Sequence, residues 1–230
     1  MTYYHSSQHA NQAYSDSWVK QRIGKYISTS KNSSVLDVGA GLSPYRLAFE
    51  ELGAKYYSHD FNQYIPSKLS PGLQNSEWIY PKHDFVCDLL EIPTRKKYDF
   101  VICTEVLEHV PDPVAVLKKI VNLTNSGGHI LITVPFLSLM HQSPFWFSSG
   151  LSPFWFEHWS KTLHLEIRDL EVSGDFLDLM EQEFARVLNF SRPIRGLTRV
   201  SKSLRILRPY IPVEVLESGG FGTFCVLYKP

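Results

Sequence analysis

The sequence predicts an α/β fold on a mostly parallel sheet, and three observations predict it. Short β-prone runs recur at VLDVG (35–39), KYYSH (55–59), FVC (85–87), YDFVICT (98–104), HILITVPF (129–136) and LEIRDLEV (165–172). Helical patterns fall between several of them, the alternation expected of parallel strands joined by crossover helices. The first strand runs straight into Gly39-Ala40-Gly41, a tight turn at the carboxyl edge of the sheet, where such folds bind ligands.

The elements follow in order. Val19, Ile23 and Ile27 sit at four-residue spacing and predict a first helix near 16–27. After VLDVG, Ser43-Pro44 supplies a cap residue with proline at the first helical position, and YRLAFEELG is a helix closed by Gly53. PDPVAVLKKIVNLTNSGG (111–128) predicts a helix with a glycine stop. Ser152-Pro153 opens another that reaches about Leu163, and residues 175–212 read as helical with a proline-marked end. GTFCVLYKP closes the chain as a last strand.

At 230 residues the chain fits one domain with a sizeable core. The organisation predicted is a helical cap over 1–30, a core over 31–172, a helical insertion over 173–215 and a final strand over 216–230. Lys plus Arg is 23 and Asp plus Glu is 23, so no global field draws the chain to nucleic acid, and none is expected as a partner. Cys87, Cys103 and Cys225 all fall in strand-like runs, which suits reduced, core-packed thiols and a cytoplasmic setting. No apolar run approaches the roughly 20 residues that span a bilayer.

The strand ends carry the chemistry. Asp37 precedes the glycines, Asp60 ends the second strand and Asp88 the third. Three carboxylates so placed suit a polyhydroxylated ligand with a cationic amine. They suit a pyrophosphate poorly, and Pro44 stands where a dinucleotide fingerprint has its third glycine. For any one residue a structural role serves as well: Asp37 and Asp88 suit helix capping, and the glycines suit a tight turn.

LDVGAG, the HD at 59–60, CDLLEIP, and YDFVICTEVLEHVPDP followed by GGHILITVPF resemble the class I S-adenosylmethionine-dependent methyltransferases. The resemblance covers roughly 30–172 and the final strand, and is greatest to the group containing ubiquinone-pathway O-methyltransferases. It implies a Rossmann-like, seven-stranded, mostly parallel sheet with helices on both faces and an antiparallel last strand. It also implies S-adenosylmethionine as cofactor. Gly39, Ala40 and Gly41 would pass beneath its methionine portion, and Asp37 would orient that turn. Asp60 would take the ribose hydroxyls, and Asp88 with Leu89 would read the adenine. Thr104 and Glu105 would line the methyl-transfer site. Many relatives carry a third glycine where Ser43 stands.

Methyl transfer from a sulfonium depends chiefly on holding the acceptor in line. A hydroxyl acceptor gains from a general base, so His109, with Glu108 beside it, is the expected catalytic pair and no metal is expected. The alternative is a divalent ion on Glu105, Glu108 and His109 with His141 as a further ligand, as the resemblance implies for related enzymes. The implied acceptor is a sugar, glycan precursor or other small hydroxylated molecule. A different class of function, a catalytically silent fold that binds cofactor or partner, stays open.

Two features remain. SPFWF occurs twice, at 143–147 and 152–156. The first copy reads as a loop, with His141, Phe145, Trp146 and Phe147 as acceptor contacts. The second starts a helix in which Trp155, Trp159 and Leu163 recur at core spacing. Between Arg192 and Arg208 stand six basic residues and no acid, a solvated face by default. Its functional alternative is peripheral contact with an anionic surface through 197–208.

Overall fold

The computed structural model describes residues 2–4, 10–27, 33–73, 78–189 and 204–230. Its strands are β1 (Thr2–Tyr4), β2 (Ser34–Val38), β3 (Lys55–Asp60), β4 (Phe85–Val86), β5 (Tyr98–Thr104), β6 (Thr124–Pro135), β7 (Glu166–Ser173) and β8 (Gly222–Tyr228). Its α-helices are α1 (Ala10–Tyr26), α2 (Arg46–Glu51), α3 (Pro113–Leu123), α4 (Pro153–Thr162), α5 (Phe176–Asn189) and α6 (Val213–Leu216). They build one sheet in the order β1-β7-β8-β6-β5-β2-β3-β4. All seven expected strands are present, and β8 runs antiparallel to both β6 and β7.

The short β1, not anticipated from sequence, pairs in parallel with β7. It covers backbone donors and acceptors that an open sheet edge would leave unpaired.

Strand alternation splits the core into two. Val35, Phe100, Ile102, Leu131, Phe224 and Val226 face α1 and α2, meeting Trp18, Ile23 and Phe49. Leu36, Val101, Cys103, Ile130, Ile132 and Cys225 face the other way, against Leu117 and Ile120 of α3 and Phe156 of α4. Helices on both faces explain the near-continuous apolar runs of the central strands.

Several local readings are corrected. Helix α2 begins at Arg46 with Tyr45 as its cap, and Ser43 lies ahead of it in the left-handed region at φ 55°. Ser43 therefore extends the glycine turn instead of capping the helix, in a conformation glycine adopts most cheaply. Helix α3 is capped by Asp112, whose side chain accepts from the amides of Val114 and Ala115, with Pro113 next. It stops at Leu123, before the glycines. Gly127 and Gly128 instead open the pairing with the chain's end, through Gly127 N–H to the Lys229 carbonyl and Lys229 N–H to the Gly128 carbonyl. In α4 and at its end, Trp155, Trp159 and Leu163 pack against the core as expected, half-buried, and Phe156 joins them as the fully buried ring.

Of the basic stripe, residues 192–203 lie outside the described residues. Residues 204–210 form a 3-10 helix. Its Arg208 is turned inward, 2.7 Å from an Asp175 oxygen and 2.9 Å from an Asp178 oxygen at the start of α5. That fork clamps two buried carboxylates and is not offered to an outside anion.

Candidate active site

The carboxyl ends of β2, β3 and β5 surround a cavity of about 760 Å³. The turn after β2 forms its floor. Gly39 and Gly41 take φ of 68° and 51°. A Cβ on Gly39 would stand 2.4 Å from a Val106 methyl group, and one on Gly41 3.2 Å from the Trp78 ring. The turn thus needs glycine for conformation and for close approach.

Most of the expected site residues meet there. Gly39, Ala40, Gly41, Asp60, Asp88, Leu89, Thr104, Glu105, His109, Phe145 and Phe147 all line the cavity. Asp60 accepts from Gly41 N–H at 3.0 Å and Asn62 N–H at 2.9 Å. Asp88 caps the 3-10 turn at 89–91 by accepting from Leu90 N–H at 2.8 Å, so it is both a structural cap and part of the wall.

Four expected residues lie off the cavity surface. Asp37 is buried beneath the turn, hydrogen-bonded by the Tyr56 hydroxyl, and burial pushes its carboxyl up to about 7. Its other oxygen has no hydrogen-bond partner among the described residues. Glu108 is wholly buried behind His109. His141 flanks His109, ring centroids 4.9 Å apart, without reaching the cavity. Trp146 does not line it, and its indole N–H is buried and unpartnered among the described residues. Its neighbours Phe145 and Phe147 line the cavity.

The sequence reading missed part of the wall. Phe61, Tyr64, Trp78, Tyr80, Gln142 and His59 also line it. The ring of Phe61 meets Phe145 edge-on at 4.8 Å. Residues 61–83 lack the periodicity that marks an element, so their aromatic content was the one available signal.

The His109 cluster is the second feature. The His109 Nδ1–H donates to the Phe145 carbonyl, and His141 Nδ1–H to the Leu139 carbonyl at 2.9 Å. A carbonyl only accepts, so in each neutral ring the lone pair sits on Nε2. The His109 Nε2 lies 3.6 Å from a Glu108 oxygen. Burial, then His141, lower the His109 pKa to about 4. Burial, then Glu105, raise the Glu108 carboxyl well above the usual range. One ligand atom from each of Glu108, His109 and His141 lies within 4.8 Å of the others, and neither Glu108 oxygen has a hydrogen-bond partner among the described residues. A carboxylate and two oriented imidazoles are donors that a divalent transition ion accepts.

Comparison with known proteins gives a consistent result. The family profile described as a methyltransferase domain matches residues 8–171. The ubiquinone biosynthesis O-methyltransferase of Leptothrix cholodnii is 27% identical over 128 residues, 55% of this chain and 51% of that protein. The chain spans about half the length of the curated relatives it matches. Among solved structures, the [4+2]-cyclase SpnF aligns over 99% of this chain and 86% of its own, at 15% identity and a TM-score of 0.59. A sarcosine dimethylglycine methyltransferase homologue from Galdieria sulphuraria aligns over 96% and 87%, at 14% identity and a TM-score of 0.55. At such identity these two likenesses concern the fold alone. Among the described residues no helix is long and apolar enough to cross a membrane.

Proposed function

The chain belongs to the methyltransferase-domain family, and from that premise we propose that it transfers a methyl group from S-adenosylmethionine to an oxygen of a small hydroxylated acceptor, a sugar or glycan precursor. One observation carries the reading: a single cavity runs from the glycine turn past Thr104 and Glu105 to His109, Phe145 and Phe147. Donor and acceptor can therefore meet in it.

The residues fit the cofactor. The Gly39–Gly41 turn leaves room that a Cβ would fill, Asp60 and Asp88 offer acceptors to hydroxyl and amino groups, and Leu89, Val106 and Val116 form an apolar wall. The bound cofactor supplies a methyl group already activated on a sulfonium. The chain aligns the acceptor, through Phe145, Phe147 and Gln142, and keeps water from the line of attack. Neutral His109 presents Nε2 as the atom that takes the acceptor's proton. Its lowered basicity makes it a weak base at neutral pH.

A second reading of that step follows from Glu108. A buried carboxylate with two unpartnered oxygens, beside two imidazoles whose Nδ1 is tied to carbonyls, favours a divalent cation held by Glu108, His109 and His141. Such an ion would lower the pKa of the acceptor hydroxyl. Metal analysis of the purified protein, with turnover measured in chelator, separates the two readings. Stoichiometric metal and chelator-sensitive turnover support the ion; metal-free protein with full turnover leaves His109 as base.

The overall reading is tested in two steps. Calorimetric titration should show one S-adenosylmethionine site per chain, and absence of binding overturns the proposal. Acceptor screening, with mass spectrometry placing the methyl on oxygen, then tests the substrate class. Binding without transfer to any acceptor would favour a silent binding module, since a shared fold does not fix the reaction.

A further inference from the structure

His59 is a buried polar residue that the proposed chemistry does not use. It is 2% exposed, sits at the end of β3 and contributes to the cavity wall. With Asp60 it receives the three successive amides of the glycine turn. Gly39 N–H points to His59 Nδ1 at 3.4 Å, Ala40 N–H donates to the His59 carbonyl at 2.8 Å, and Gly41 N–H donates to Asp60 at 3.0 Å. On the far side of the ring, Nε2 lies 3.0 Å from the Cys87 carbonyl, one residue before Asp88.

These contacts require one protonation state. The Cys87 carbonyl only accepts, so Nε2 carries the hydrogen; the Gly39 amide only donates, so Nδ1 carries the lone pair. The ring thereby joins two segments that hold opposite ends of the cofactor, the glycine turn and the Asp88–Leu89 wall. An imidazolium would set an N–H at Nδ1 against the N–H of Gly39.

We infer that His59 is a positioning residue for cofactor binding, a neutral imidazole strut that sets the glycine turn against the Asp88 segment. The inference rests on the cofactor reading above. Burial lowers the basicity of His59 and keeps it neutral; the Cys87 carbonyl, Asp60 and Asp88 oppose that effect and His83 reinforces it. Those are the groups that face it from β3, from the residues ahead of β4 and from the turn after it. Protonation therefore comes below the usual imidazole range, which leaves the ring in the neutral form that the Gly39 and Cys87 contacts need.

The test is calorimetric affinity for S-adenosylhomocysteine, with melting of the unliganded protein alongside. In His59→Asn the amide oxygen can take the place of Nδ1 and keep the Gly39 contact. In His59→Gln the amide N–H reaches toward Cys87 and leaves Gly39 without its acceptor. His59→Gln should bind about tenfold more weakly, the size of one lost hydrogen bond, and His59→Asn should lie within about threefold of wild type. A His59→Gln that melts like wild type and binds as tightly would overturn the inference; if His59→Gln fails to fold, a His59→Asn that melts like wild type yet binds about tenfold or more weakly would overturn it. A wild-type protein that binds no cofactor at all would instead overturn the reading on which it rests.

Discussion

The two SPFWF segments share five residues and almost nothing of their surroundings. In the first, Phe145 and Phe147 line the cavity, and Phe147 remains 51% exposed. The Phe145 carbonyl holds the His109 ring, and the amides of Phe147 and Ser148 return to the Glu108 carbonyl. In the second, Phe154 is 68% exposed and Phe156, the counterpart of Phe147, is 1% exposed in the core. The last ring of the pentapeptide thus faces a ligand site in one copy and the core beneath the sheet in the other. An aromatic side chain carries apolar area; the elements around it decide where that area is buried.

The comparison can be broken by substitutions, most strongly at the buried ring. Phe156→Ala should cost about 3–5 kcal/mol by denaturant unfolding, as for a large side chain removed from a packed core. A cost as small as that of Phe147→Ala would erase the distinction. Gly150→Ala tests the joint between the copies. Gly150 has φ 148°, and a Cβ there would stand 2.2 Å from the Pro135 carbonyl oxygen. About 1–3 kcal/mol is expected from the backbone conformation alone, plus the shift the clash imposes. Trp155→Ala, removing a half-buried ring, should cost roughly 1–2 kcal/mol and leave cofactor affinity unchanged. Phe147→Ala should change stability by no more than about 0.5 kcal/mol while raising the acceptor KM. Unchanged KM there would remove the first copy from the acceptor side.

Legibility followed the range of the interaction that fixes each feature. The apolar pattern of α3 was plain because helical periodicity is local, and the central strands were plain because both sheet faces are covered. The strand-end acids and the glycine turn could be placed for the same reason, each being tied to a strand. Ser43 misled because its cap-like chemistry was overridden by the turn, which holds it at φ 55°. Trp155, Trp159 and Leu163 do pack against the core, as their four-residue spacing predicted, but spacing alone did not show that the core extends further round that face. Phe156, one position on, points more directly inward.

By itself, the sequence determined the α/β alternation and the family resemblance, which in turn implied the antiparallel end of the sheet, because the first two reside in local pattern and in the order of blocks. Tertiary structure decided which acids reach the cavity and which lie beneath it, and it seated His59 between Gly39 and Cys87. It also gathered Glu108, His109 and His141, the last from 32 residues further along the chain, and gave each SPFWF copy its surroundings. Those outcomes depend on partners far apart in sequence, whose approach is set by how strands pair and loops fold over the sheet edge. No short window of residues contains that information.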